Sequence, residues 1–315
     1  MSDVWTAPRQ RIVSLLPSAT EILFALGLDA RIVGVTHECD FPEAARGRPQ
    51  LTASALPPAA NSAEIDRHVR ASVHAGSSLY ALDSGLLERL APDLIVTQEL
   101  CVVCAVSYSI VAQAARQLSG DPRLISLEPS SLDDVFANIL TLGELTGTSK
   151  AALTLVAELE ARLRALESYV SGKIRPRALV LEWTDPPMSG GHWTPGLLVR
   201  AGGEPLLAHP GANSQVVPWG AIAAADPDVV IVAPCGYGLE ATLRAVGELN
   251  LVPEWRSLRA LREGRAYAID GNAYVNRPGP RLVDTAELFA SALHGAPYGA
   301  ALGDPQSMRL IRADR

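Results

Sequence analysis

The chain has 315 residues, 48% apolar and 19% charged, with Lys+Arg 27 against Asp+Glu 34 and a formal net charge of −7. This composition excludes a disordered chain and supports one large or two medium cores, since domains run about 100–200 residues. The acidic balance excludes a general nucleic-acid binder, which needs a basic footprint to neutralise phosphates.

No run of about 18 apolar residues marks a membrane-spanning helix. The start, MSDVWTAPRQRIVSLLPS, has neither a basic-then-apolar export pattern nor a small-residue cleavage site, which makes the cytosol the expected compartment. In a reducing compartment the four cysteines read as metal ligands, redox groups or buried small hydrophobes rather than as a disulfide framework.

In chain order, a strand is predicted over 11–16. Ser18 and Glu21 have capping-box spacing for a helix over 21–27 that stops on a glycine. A second strand covers 31–35, and the Pro-, Ala- and Ser-rich stretch 47–63 reads as loop. Helices follow over 63–75 and 86–90, then a strand over 94–97, a loop over 98–104 and a helix over 105–118. A strand over 124–127 leads to a helix over 131–146, capped by Ser131 with Asp134 at the third helical position. This strand–helix alternation predicts parallel strands in an open α/β sheet.

Residues 148–171 contain no Pro and no Gly, and Leu155, Leu159, Leu163, Leu166 and Val170 fall at helical spacing. One long helix is predicted there. Alternation then restarts, with strands over 178–182, 229–233 and 266–270 and helices over 195–201, 219–224, 239–246 and 281–293. The stretch Arg89-Leu-Ala-Pro-Asp-Leu-Ile-Val96 is echoed by Ala224-Ala-Asp-Pro-Asp-Val-Val-Ile-Val232. Each is a helix end, a Pro-Asp turn and a strand. The expected fold is α/β, two similar Rossmann-like lobes joined by a single long helix, with lobes over 1–147 and 173–315 and the bridge over 148–172.

Arg11-Ile-Val-Ser-Leu-Leu-Pro-Ser-Ala-Thr-Glu-Ile-Leu-Phe-Ala-Leu-Gly27, Leu28-Asp-Ala-Arg-Ile-Val-Gly-Val35, the Pro-Asp-Leu-Ile-Val strand, the lone bridging helix and Arg277-Pro-Gly-Pro-Arg-Leu-Val283 carry a family resemblance. Over roughly residues 10–295 the chain resembles the class III periplasmic solute-binding proteins, in their cobalamin and iron-chelate branch. The resemblance implies two lobes, a ligand cleft between them holding a small-molecule metal chelate, no enzymatic activity, and docking on an ABC transporter permease. Members are usually periplasmic or lipid-anchored; the export signal and anchoring cysteine of that pattern are not found near this start.

In open α/β sheets, ligands bind beyond the carboxyl ends of strands. Cys39, Cys101 and Cys235 each follow a predicted strand, and Cys104 stands two residues beyond Cys101. Four thiolates suit zinc or an iron–sulfur cluster. Packing as buried hydrophobes, or a CxxC redox role for Cys101 and Cys104, are the alternatives. His37 and Glu38 form a second candidate group, His37 being able to ligate a metal or a corrinoid cobalt through neutral imidazole; a plain loop histidine is the competing reading.

The third group follows the first strand of the second half. Trp183 and Trp193 offer flat apolar faces that suit a planar macrocycle, Trp219 is a third wall, and His192 is an axial ligand or hydrogen-bond donor. Core packing for Trp183 and a surface loop for His192 are the alternatives. Tyr237 and Tyr274, in later post-strand loops, are rim contacts or plain turn residues. Phosphate-cradling GxGxxG and GxxxxGK[ST], GxSxG and HExxH are all missing from the sequence. The expected function is binding of a corrinoid or other metal chelate, with a cysteine-held metalloprotein and a thiol redox protein as alternatives.

Overall fold

The computed structural model describes residues 10–55, 61–74, 79–98, 108–118, 120–299, 304 and 306–312. The chain divides into two compact units. One comprises Met1–Pro58, Arg67–Glu128 and Ala137–Leu155; the other comprises Ala59–Asp66, Pro129–Phe136 and Val156–Arg315. Both are built on an α/β plan around their own sheet.

In the first unit the sheet contains β1 (Ile12–Ser14), β2 (Ile32–Gly34), β5 (Leu94–Thr97) and β6 (Arg123–Ser126), in the order β2-β1-β5-β6 with every pair parallel. The connections run through α1 (Pro17–Ala25), α2 (Ser62–His74), α3 (Ser84–Leu90) and α4 (Tyr108–Arg116), with α5 (Leu132–Leu145) after β6. β5 is buried at every residue, as a strand covered on both faces must be. A separate antiparallel pair joins β3 (Thr52–Ser54), inside the stretch expected to be loop, with β4 (Tyr80–Leu82), between two predicted helices. Three residues give too little alternation to reveal such a strand.

The helix expected to be capped by Ser18 starts earlier. Leu16 is the extended cap residue and Pro17 the first helical residue, so Ser18 already lies inside α1 and makes no capping bond. Proline suits that position because its φ is preset and a free N–H there would have no partner. The cap at Ser131 forms as expected. Asp134 Nα donates to Ser131 Oγ at 3.2 Å, and the Ser131 hydroxyl and amide donate back to the Asp134 carboxylate at 2.8 and 2.9 Å.

The long helix α6 (Ser149–Val170) buries Leu159, Leu163, Leu166 and Val170 and is followed by Gly172 at φ +74°. The division between the units falls within it. The second unit's sheet is mixed. Its strands are β7 (Arg177–Thr184), β8 (Pro187–Ser189), β9 (Glu204–Pro205), β10 (Gln215–Val216), β11 (Val229–Val232), β12 (Ala266–Ile269) and β13 (Met308–Leu310). The order is β10-β8-β7-β11-β12-β13, with β9 also pairing with β7. β7, β11 and β12 run parallel; β8, β10 and β13 are antiparallel. Helices α7 (Thr194–Arg200), α8 (Trp219–Ala225), α9 (Leu239–Leu249), α10 (Pro253–Ser257), α11 (Arg259–Arg262) and α12 (Leu282–His294) complete it. Its core gathers Leu179, Leu181, Val230, Val232, Trp255 and Ala268. The segment after β7 is therefore a hairpin back into the sheet, where the sequence suggested a loop. Among the described residues no helix is long and apolar enough to cross a membrane.

Candidate functional site

In the first unit the chain beyond β2 folds into a compact polar group. The amide of His37 donates to Thr52 Oγ1 at 3.1 Å, and its ring Nδ1 meets the same oxygen at 2.7 Å. That fixes the ring and leaves Nε2 as its second polar edge. The ring packs 5.5 Å from Tyr80, tilted by 50°, and the Tyr80 hydroxyl donates to Glu38 Oε1 at 3.1 Å. His37 and Glu38 are thus brought together through a tyrosine and a threonine from the β3–β4 pair. Sequence spacing gave no signal for either partner, since both contacts depend on a strand pairing too short to recognise.

Cys39 is buried, its Sγ 3.1 Å from the hydroxyls of both Thr20 and Thr36. Cys235 is half-buried, and its amide donates to the Glu182 carbonyl at 3.0 Å. Cys101 and Cys104 lie outside the described residues. Among the described residues no three His, Cys, Asp or Glu side chains come together as a metal site.

In the second unit the loops after β7, β11 and β12 lie side by side. Trp183, near the end of β7, stands edge-on to Tyr237 with ring centroids 5.3 Å apart. The Asn272 amide donates to the Tyr237 carbonyl at 3.1 Å, and the buried Arg277 guanidinium donates to Asn272 Oδ1 at 3.0 Å. Asn272 sits in a π-helical turn, Gly271–Val275, a form often found at functional sites. Gly271 is needed there: a Cβ would come 2.3 Å from the Pro234 carbonyl oxygen. Asn272 is a site residue that the sequence did not single out; the turn around it has no local signature.

Tyr274 is buried, with its hydroxyl on Asp304 Oδ2 at 3.1 Å and the Arg281 guanidinium over its ring. Burial, then the neighbouring Asp304 carboxylate, push its phenol far above the ordinary range. Trp193 is also buried, donating its indole N–H to the Val275 carbonyl at 2.8 Å. Trp219 packs against the core, edge-on to Trp255 at 6.0 Å.

His192 has a left-handed backbone, φ +50°, unusual outside glycine. Its amide donates to the Ala212 carbonyl at 2.6 Å, its carbonyl accepts from Gly211 at 2.9 Å, and its side chain bonds Asn213. Burial pulls its imidazole below the ordinary value, favouring the neutral ring. Glu182 secures the same turn, its Oε2 accepting from the Gly191 amide at 2.8 Å and the Ser214 hydroxyl at 2.7 Å. Desolvation raises the Glu182 carboxyl even though both bonds pull the other way.

The structure therefore pairs Trp183, at the carboxyl end of β7, with Tyr237, beyond β11, and holds His192 in a braced turn. It places Trp193, Tyr274 and Trp219 against the interior of their unit. Around the Trp183–Tyr237 pair stand the Asn272 side-chain amide and the Arg277 guanidinium that donates to it. These residues are carried on an α/β fold whose two main sheets are one parallel and one mixed.

The profile of the periplasmic binding protein family matches residues 12–273, and the chain belongs to that family. It is a family of binding proteins, not enzymes. A cobalamin-binding protein of Halobacterium salinarum is 25% identical over 295 residues, covering 90% of this chain and 69% of its own length. The crystal structure of the periplasmic vitamin B12 binding protein BtuF of Vibrio cholerae superposes with a TM-score of 0.66 at 21% identity, over 91% of this chain and 97% of that one. A periplasmic heme binding protein from Pseudomonas aeruginosa gives a TM-score of 0.71 at 22% identity, over 97% and 99%. At such identities the two structures establish the shared fold.

Proposed function

We propose that the chain is the solute-binding component of an ABC transporter and that its ligand is a corrinoid or another planar tetrapyrrole chelate. The observation that carries this reading is the Trp183–Tyr237 pair, with Trp183 at the carboxyl end of β7 and Tyr237 beyond that of its parallel neighbour β11. The Trp183 indole offers a flat apolar face that fits a macrocycle, with the Tyr237 ring set edge-on beside it and polar groups of Asn272 and Arg277 close by for its substituents. The names of the relatives support the same class, cobalamin for the Halobacterium and Vibrio proteins and heme for the Pseudomonas one. His192, in the same unit, is the further side chain proposed to face the ligand. The proposed partner is the transporter's permease.

The test is titration of the purified protein with cyanocobalamin and, separately, with hemin, read by calorimetry and thermal unfolding. Binding to the native state alone stabilises it by about 2.7 kcal/mol at a hundredfold excess over the Kd. Saturable binding of one chelate that is lost in Trp183→Ala supports the reading. No heat and no shift with either chelate removes it.

A further inference from the structure

Residues 61–66 precede the next stretch of their unit, which begins at Pro129, by some sixty positions in the chain, yet they pack with it. Their anchor is Ser62, the first residue of α2, which is 1% exposed. Its carbonyl accepts the Trp183 indole N–H at 3.2 Å. Its hydroxyl accepts from Thr184 Oγ1 at 2.7 Å and lies 3.3 Å from the Tyr237 hydroxyl. The turn arrives preformed, because Asn61 and Glu64 close a capping box: Glu64 Nα donates to Asn61 Oδ1 at 3.0 Å and Asn61 Nα to Glu64 Oε2 at 3.2 Å. One serine thus engages the polar edge of both aromatic residues assigned above to the ligand.

We propose that the 61–66 turn is a displaceable lid on the Trp183–Tyr237 face, which the planar chelate must lift before it can stack there; this rests on the ligand reading above. The contacts suit that role. The hydrogen bonds that tie the turn to Trp183, Thr184 and Tyr237 all converge on one small residue, through its carbonyl and its hydroxyl, so water or ligand groups can replace each of them at small net cost. The Trp183 indole N–H also reaches the Asp185 carbonyl at 3.0 Å, so it keeps a partner when the lid leaves. The capping box holds the turn, which is the start of α2, together as one preformed piece.

Two measurements test the lid. First, Ser62→Ala removes the hydroxyl contacts to Thr184 and Tyr237 without touching the aromatic face. A lid predicts that chelate affinity rises about 5- to 30-fold, the worth of one or two net hydrogen bonds. A fixed wall of the site predicts a fall, and that result overturns the proposal. Second, Ser62→Cys and, as a core reference, Thr242→Cys are alkylated in the unliganded protein and followed peptide by peptide. Both positions are buried, Thr242 fully. Local opening predicts labelling at position 62 at least about 100-fold faster than at 242, because lids open far below the global unfolding free energy. Equal rates overturn the lid. If neither chelate binds the wild type or Ser62→Ala, the ligand reading fails, and the labelling ratio alone decides whether the turn opens.

Discussion

The Arg177 amide donates to Oδ2 of Asp228 at 2.8 Å, and the Asp228 amide returns a bond to the Arg177 carbonyl at 2.8 Å. The relationship recurs in the other unit, where the Arg11 amide donates to Asp93 Oδ2 at 2.7 Å and the Asp93 amide to the Arg11 carbonyl at 2.9 Å. In both, the arginine side chain also caps the preceding helix, Arg11 at Leu90 and Arg177 at Ala225 and Asp226. Both helices end on a left-handed residue, Ala91 at φ 39° and Asp226 at φ 41°. The two Pro-Asp turns are thus one device used twice, pinning the first strand of each unit to its parallel neighbour.

Asp228→Asn tests the strength of that device. Burial pushes the Asp228 carboxyl up, but hydrogen bonds from the Arg259 guanidinium and the Arg177 amide, with the charges of both arginines, outweigh it and hold the group below its ordinary value. A carboxyl depressed in the folded state contributes stability above its unfolded pKa and loses it as pH falls through the folded one. The variant is expected to lose about 1–3 kcal/mol at neutral pH, the range for hydrogen bonds to a charged group. Its denaturant midpoint is expected to vary less than the wild type's from about pH 5 downward. Urea unfolding across that range checks both.

The same turns show what was readable in the sequence. The Pro-Asp echo, the buried parallel strands β5 and β11 and the apolar stripe of α6 each leave a signal of several consecutive residues, and the elements lie where that signal puts them. β3, β4, β8, β9, β10 and β13 have at most three residues each, too few for alternation to show. The site divides the same way. Trp183 and Tyr237 stand out because they follow strands, which is a local property. Tyr80, Thr52, Ser62 and Asn272 take part through tertiary contacts, Ser62 from 121 residues away from Trp183, and no local pattern encodes those. The hydroxyls around Cys39 belong to Thr20 and Thr36, residues chosen by packing rather than by a ligand motif.

Asp134 offers a cap with a sign that can be read. Its carboxylate accepts from the amides and hydroxyls of both Ser130 and Ser131. Desolvation, the largest single effect, raises the group, and these bonds together outweigh it and lower the group below its ordinary value. Asp134→Ala is expected to cost about 0.5–2 kcal/mol, as loss of a helix cap does. The difference from wild type is expected to shrink on acidification below about pH 4, once the wild-type carboxyl is itself protonated. Thermal unfolding at pH 7 and pH 3 measures it; an undiminished difference at low pH excludes an electrostatic role.

Glu182 has the opposite sign. Its raised carboxyl means that the folded state holds the proton more tightly than the unfolded one, so the stability it contributes is complete below the unfolded pKa and declines as pH rises through the folded pKa. Glu182→Gln keeps an oxygen for the Gly191 amide and the Ser214 hydroxyl and removes the charge. It is expected to be as stable as wild type or more so at pH 7 and to flatten the pH dependence above about pH 5. Glu182→Ala leaves both donors without their acceptor and is expected to lose about 1–3 kcal/mol. Denaturant titration of the two variants side by side separates charge from hydrogen bonding. Nuclear magnetic resonance of the His192 ring shows whether the turn follows.

Gly191 and Gly247 make a matched pair of substitutions with opposite outcomes. A Cβ on Gly191 would lie 2.3 Å from the Ser214 amide nitrogen and 2.7 Å from the Asn213 carbonyl carbon. Both are backbone atoms, so the 190–193 turn must separate from the 211–214 strip that brackets His192. Gly191→Ala is expected to cost about 1–3 kcal/mol, as overpacking does, and to return the His192 imidazole toward its ordinary, higher pKa as water reaches it. Gly247 lies exposed within α9, with no atom within 4 Å of an added Cβ. Gly247→Ala is expected to add about 0.5–1 kcal/mol through helix propensity and the reduced freedom of the unfolded chain. If both substitutions shift the urea midpoint in the same direction, the close approach at Gly191 is not what shapes the turn.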